Sequence, residues 1–149
     1  MKSKLHAAAG AVAMLTIATF WVTTLVSEIF GTFELVAQVK SAILYGMVLL
    51  IPAMAAVGGS GFAMSKGWRG KQISAKRLRM KIIGGNGILI LIPSAFFLAS
   101  RAQVQNFDGW FYAVQTLEIV AGATNLILLG LNMRDGIALT QRRKKTAPP

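Results

Sequence analysis

Residues 50–62 read LIPAMAAVGGSGF, and residues 82–93 read IIGGNGILILIP. The two stretches mirror each other. Pro52 precedes the quartet Gly58-Gly59-Ser60-Gly61, and the quartet Gly84-Gly85-Asn86-Gly87 precedes Pro93, with the same spacing in each. If both stretches are helices joined by the basic segment between them, they run antiparallel. The quartets then face each other near the loop, and the prolines lie level further away. Glycine lets helices approach closely in lipid, so a membrane hairpin that is tight at one end is expected. Proline has no N–H to donate, which frees the carbonyls of Val48 and Leu89 and bends both arms. Prolines in membrane helices commonly serve as structural kinks, which is the first reading here; a hinge or a cavity lining at matched depth is the second. Neither quartet has the glycine pattern of a phosphate-binding or dinucleotide-binding loop.

The rest of the chain agrees with a membrane setting. Of 149 residues, 54% are hydrophobic and 14% are charged, against about 25% charged in a soluble domain. Mean hydropathy is +0.58. Four apolar segments, at about 5–27, 41–64, 82–100 and 110–133, approach the roughly 20 residues needed to cross a bilayer. The expected fold is all-α: a single polytopic membrane domain of four transmembrane helices in an antiparallel bundle, with a basic loop at 65–81 and a basic tail at 134–149. Every Lys and Arg except Lys40 and Arg101 falls in the N-terminus, the central loop or the tail. Positive charge marks the cytoplasmic side, so both termini are expected there. The net charge of +11 follows from this asymmetry and points to anionic lipid headgroups as partner, not to nucleic acid. Residues 1–27 are longer than a signal-peptide core and lack a clear cleavage site, so a retained first helix is expected. Cysteine is absent, which excludes disulfides and thiolate metal sites.

Candidate functional residues are few. The first helix carries His6, Ala9, Ala13, Thr16, Thr19 and Thr23 at helical spacing, and Trp21 at its outer end suits an interfacial belt. Residues 28–40 are expected to lie on the outer surface, being too apolar for a free loop and too charged for the core. The fourth helix carries Gln115, Glu118, Gly122, Asn125 and Asn132 on one face. Glu118 is the acid placed in the bilayer core, roughly 5 Å from its midplane by helix rise. Thr19, Pro52 and Ser94 fall at comparable depth, and Asn125 falls level with Asn86. With no basic residue expected in the core, two readings of Glu118 compete. In one it is neutral and held by hydroxyls. In the other it binds a proton, a cation or a polar ligand group. The candidate buried polar site is therefore Glu118, Gln115, Asn125, Asn86, Thr19 and Ser94. His6, the only histidine, is a candidate axial ligand for haem b, with Met64, Met80 or Met133 as a second ligand. No catalytic constellation and no metal-ligand cluster is expected.

The segments LHAAAG, FWVTT, LIPAMAAVGGSGF, RMKIIGGNG and GLNMRDG together resemble a group of short four-span proteins of proteobacterial inner membranes. The resemblance covers most of the chain and implies a multi-pass protein of the bacterial inner membrane. The four-helix di-haem cytochromes carry several histidines within their helices, which this chain lacks. Three functions are consistent with the residues. The first is a non-enzymatic accessory or scaffold protein, acting through helix contacts in a homo-oligomer or larger complex. The second is a proton-coupled or small-molecule function centred on Glu118. The third is a mono-haem protein using His6.

Overall fold

The structure is a computed structural model that describes residues 2–65 and 71–146. It is all-helical. Helix α1 spans Lys2–Phe30, α2 Phe33–Ser65, α3 Lys71–Asn86, α4 Ile92–Gln103 and α5 Gly109–Thr146. A π-helical turn, Gly87–Leu91, joins α3 to α4, so residues 71–103 form one continuous third span. Four helices are long and apolar enough to cross a membrane, over Leu5–Phe30, Phe33–Ala63, Ile73–Gln103 and Gly109–Ala138.

The helices run past the boundaries that hydropathy suggests. Residues 28–40 are not a surface segment: α1 continues to Phe30, and α2 starts at Phe33. Gly31 follows α1, donating its amide to the Ser27 carbonyl at 2.9 Å, in a place where a side chain would strike that same oxygen. Thr32 starts α2 by accepting the Leu35 amide at 3.3 Å, with Glu34 in the first turn facing the positive end of the helix dipole. At the other end, α3 begins at Lys71, within the expected loop, and α5 continues through Arg134, Asp135 and Gly136, in the expected basic tail, to Thr146. The loop tip with Trp68 and the terminal prolines lie outside the described residues.

The spans close into a ring. The first packs on α2 and α5, and the third also packs on α2 and α5, while neither diagonal pair makes a close backbone approach. The buried seams explain this. On α1, Ala13, Ile17, Thr24 and Ser27 are buried; on α2, Val36, Lys40, Ile43, Met47 and Val57; on α5, Phe111, Gln115, Asn125, Leu129 and Asn132. Successive positions in each set are three, four, seven or ten residues apart, all sums of the three- and four-residue steps that hold a seam on one face in coiled-coil packing.

The prolines behave differently from each other. Pro52 sits in an uninterrupted α2. Pro93 follows the π-helical turn, where the Ile92 amide reaches the Gly87 carbonyl. That wider register accommodates the ring without ending the span. Both prolines face outward, so neither walls the interior.

Two polar clasps tie the bundle near its ends. Arg79 on α3 meets Asp135 on α5 at 2.6 Å and Asn132 at 3.4 Å. Arg101 meets Asp108 at 2.8 Å and lies over the Phe97 ring at 5.2 Å. Asp108 also caps α5 by accepting the Phe111 amide at 2.9 Å. That amide, with the Arg101 guanidinium beside it, holds the Asp108 carboxyl below its ordinary value.

Candidate functional site

The buried polar groups form two layers. In the first, Lys40 Nζ lies 2.6 Å from Glu118 Oε2. Lys40 is 1% exposed, and the Glu118 side chain is 13% exposed. The pair joins α2 to α5 across the diagonal of the ring. Gln115, one turn earlier on α5, donates Nε2 to the same Glu118 oxygen at 3.1 Å. Glu28 approaches from α1, within electrostatic reach of both Lys40 and Glu118. Among the described residues, the buried oxygens Glu28 Oε1 and Gln115 Oε1 have no hydrogen-bond donor.

This layer corrects the expectation that no basic residue enters the core. Lys40 was placed at the outer surface because its charge breaks the apolar run. It is tolerated inside because its ammonium is paired and its stem packs along the seam. The sequence carried a signal for it. Stepping back from Val57 along α2 through Met54, Leu50, Met47 and Ile43 lands on Lys40 and then Val36.

The second layer lies two turns further along α5. Asn86 Nδ2 donates to Asn125 Oδ1 and to the Ala121 carbonyl, both at 2.8 Å. Asn125 Nδ2 reaches the Ile83 carbonyl at 3.4 Å. These amides join the third span to α5, as expected for interhelical hydrogen bonds in lipid.

The remaining candidates go elsewhere. Thr19 is exposed and donates to Leu15 O in its own helix, as Thr16 does to Val12 O. The buried seam of α1 runs beside that stripe, so Thr19 is no part of the site. Ser94 is buried on α4, yet no hydrogen bond links it to Glu118. Trp21 is no interfacial anchor: its Nε1 donates to the Ile119 carbonyl at 2.9 Å, and its ring packs on Gly122. His6 Nδ1 lies 2.8 Å from Ser60 Oγ, with its ring over Gly61, and so ties α1 to α2. Of the methionines considered beside it, Met80 packs against the Ile17, Ile83 and Leu129 cluster, Met133 is exposed, and the Met64 side chain lies outside the described part.

Between and beside the polar layers lies a cavity of about 330 Å³, walled by all four spans. Its wall is apolar except for Trp21, Thr24, Glu118 and Asn125. Toward the short connections, a core of Val36, Leu98, Ala102 and Phe111 closes the bundle, with Phe107 stacked on Phe33 at 4.5 Å. On the side between α2 and the third span, the wall contains Ala55, Gly58, Gly84, Gly87 and the exposed Ile51 and Ile88. Side chains that are both exposed and cavity-lining mark an opening to the side.

This opening corrects the reading of the glycine quartets as tight contacts. A Cβ added at Gly58, Gly59, Gly84 or Gly85 meets nothing within 4 Å. Close approach occurs instead where Gly46 meets the Phe20 ring and where Gly122 meets Trp21, at 3.0 Å from its Cδ1. The missing side chains at Gly58 and Gly84 hold the gap open.

No family model, curated protein or solved structure matches this chain.

Proposed function

We propose that this protein binds a small lipophilic molecule with a polar head in its central cavity, and that Glu118 holds the head. The observation that carries this reading is the cavity itself. Its wall is mostly apolar, holds one carboxylate and opens sideways between α2 and the third span. Pockets for small molecules combine an apolar lining with a few placed polar groups. An ionisable residue on such an inner wall leans toward function. A lateral opening suits a ligand that partitions into lipid before it binds.

The test uses the glycines at the mouth. At Gly84 an added Cβ meets nothing within 4 Å, so Gly84→Leu is expected to extend its side chain into the gap, and its unfolding transition checks that the bundle tolerates it. Protein in lipid nanodiscs is extracted, and bound small molecules are identified by mass spectrometry. The expected result is a stoichiometric lipophile in the parent, lost in Gly84→Leu with the same unfolding transition. Equal occupancy in both proteins would overturn the reading.

For topology, the reading places the protein in a bacterial inner membrane with both termini cytoplasmic and successive spans antiparallel. The contacts of His6 with Ser60 and of Phe20 with Gly46 support the alternation. The two basic residues outside the cytoplasmic set, Lys40 and Arg101, each have an acidic partner, which weakens their weight as topology signals. The scaffold reading keeps one support, Gly58, Gly59, Gly84 and Gly85, where an added Cβ meets nothing within 4 Å. It differs in expecting Glu118→Gln to leave function intact.

A further inference from the structure

We propose that Glu28, Lys40 and Glu118 together hold one exchangeable proton, which a lipophilic cation entering the cavity displaces. This inference rests on the cavity reading above and names its ligand class. Charge is the starting point. With all three groups ionised, the Lys40 ammonium is paired with Glu118, Glu28 lies within electrostatic reach of both, and the layer carries one uncompensated negative charge. Glu28 is half-buried, with its Oε1 enclosed and without a donor, and an unpaired charge placed so is costly, so the layer takes up one cation, and the smallest is a proton.

Hydrogen bonding points the same way, independently of charge. Gln115 is 3% exposed, and its amide is held at the Glu118 carboxylate. Its Oε1 and Glu28 Oε1 are both buried acceptors without a donor. A carboxylate only accepts, whereas a carboxylic acid also donates. One proton on Glu28 therefore turns one of the two unpartnered oxygens into a donor.

Among the described residues, no other charged group near the layer supplies the missing charge. The charged groups are Glu28 from α1, Lys40 from α2 and Glu118 from α5; the uncharged Gln115 donates to Glu118, and Thr24 of α1 lines the cavity with it. Arg101 at the end of α4 is paired with Asp108, and Glu34 at the start of α2 faces outward. The layer also has two sides. Glu28 lies two residues from the end of α1, toward the short connections, and Glu118 lines the cavity. A cation held at Glu118 from the cavity makes the proton redundant, and the proton leaves to solvent. Charge balances: one positive charge enters and one departs.

The test measures tetraphenylphosphonium, which carries a fixed charge and no proton of its own, against neutral triphenylmethanol. Binding to protein in nanodiscs is followed by calorimetry in buffers of different ionisation enthalpy, which counts released protons. The expected result is that both probes bind and that only the cation releases about one proton. Cation affinity then rises about tenfold per pH unit while the layer is protonated. Glu28→Gln is expected to abolish proton release and weaken the cation at least tenfold while triphenylmethanol still binds, which also shows that the variant is folded. If triphenylmethanol binds but the cation releases no proton, or releases it unchanged in Glu28→Gln, the proton site is overturned and the cavity reading stands. If neither probe binds, both are overturned.

Discussion

Breaking the Lys40–Glu118 pair from one side and then from both separates a buried ion pair from a dispensable contact. At 2.6 Å and an effective dielectric of about 20, the attraction is about 6 kcal/mol. Most of it offsets the desolvation of the two groups, so the net value of the pair is small. Removing one partner is different, because it strands a charge in the bundle at about 3–5 kcal/mol. The structure also sets an order. Glu118→Gln leaves Lys40 with Glu28 as a second partner and lies near 3 kcal/mol. Lys40→Met leaves the Glu28 and Glu118 carboxylates within electrostatic reach of each other and without their cation, and lies nearer about 5 kcal/mol. The double variant Lys40→Met/Glu118→Leu removes both charges and is expected within about 2 kcal/mol of the parent. Unfolding of purified protein in mixed micelles with rising SDS, followed by far-UV circular dichroism, supplies the four free energies. The reasoning fails if the two single variants are additive in the double, or if each lies within about 0.5 kcal/mol of the parent.

Glycine positions divide cleanly by what a Cβ would meet. Gly122→Val, against Trp21, is expected to destabilise by about 1–3 kcal/mol, while Gly85→Ala changes stability by less than about 0.5 kcal/mol; the same unfolding assay reads both. Asn86→Leu removes two donated bonds at 2.8 Å and leaves the Asn125 amide oxygen without that donor, for a loss of about 1–2 kcal/mol. Asp108 contributes to the acid limb of stability. Its folded carboxyl lies below the unfolded value of 3.8, so its contribution is present above that value and fades as pH falls through the folded one. Thermal unfolding of Asp108→Asn is expected to lose that acid-side slope and match the parent in shape above it. For topology, single cysteines at Ser74 and Gln105, in a chain that has none, are expected to label from opposite sides of the membrane in spheroplasts and inverted vesicles.

How much of this was legible beforehand follows from the kind of signal each residue sends. The polar face of α5 could be read directly, because Gln115, Glu118, Asn125 and Asn132 interrupt an apolar helix at helical spacing. The Asn86–Asn125 layer followed from depth alone. Lys40 and Glu28 were misplaced because hydropathy treats a charge as the end of a span, whatever partner it meets. The threonines of α1 misled for a related reason: a hydroxyl bonded to its own helix is silent about which face is buried. The glycine quartets looked like contacts because small residues allow close approach without requiring it.

By itself, the sequence determined that this is an all-helical chain with four spans long and apolar enough for a membrane. Length, hydropathy and turn residues act locally along the chain, and the backbone must satisfy its own hydrogen bonds in lipid. Only the tertiary structure decided which charges meet and where space remains. An ion pair between residues 40 and 118 and a cavity walled by four spans are relations between helices. They depend on the order of packing around the ring, which no stretch of the chain encodes alone.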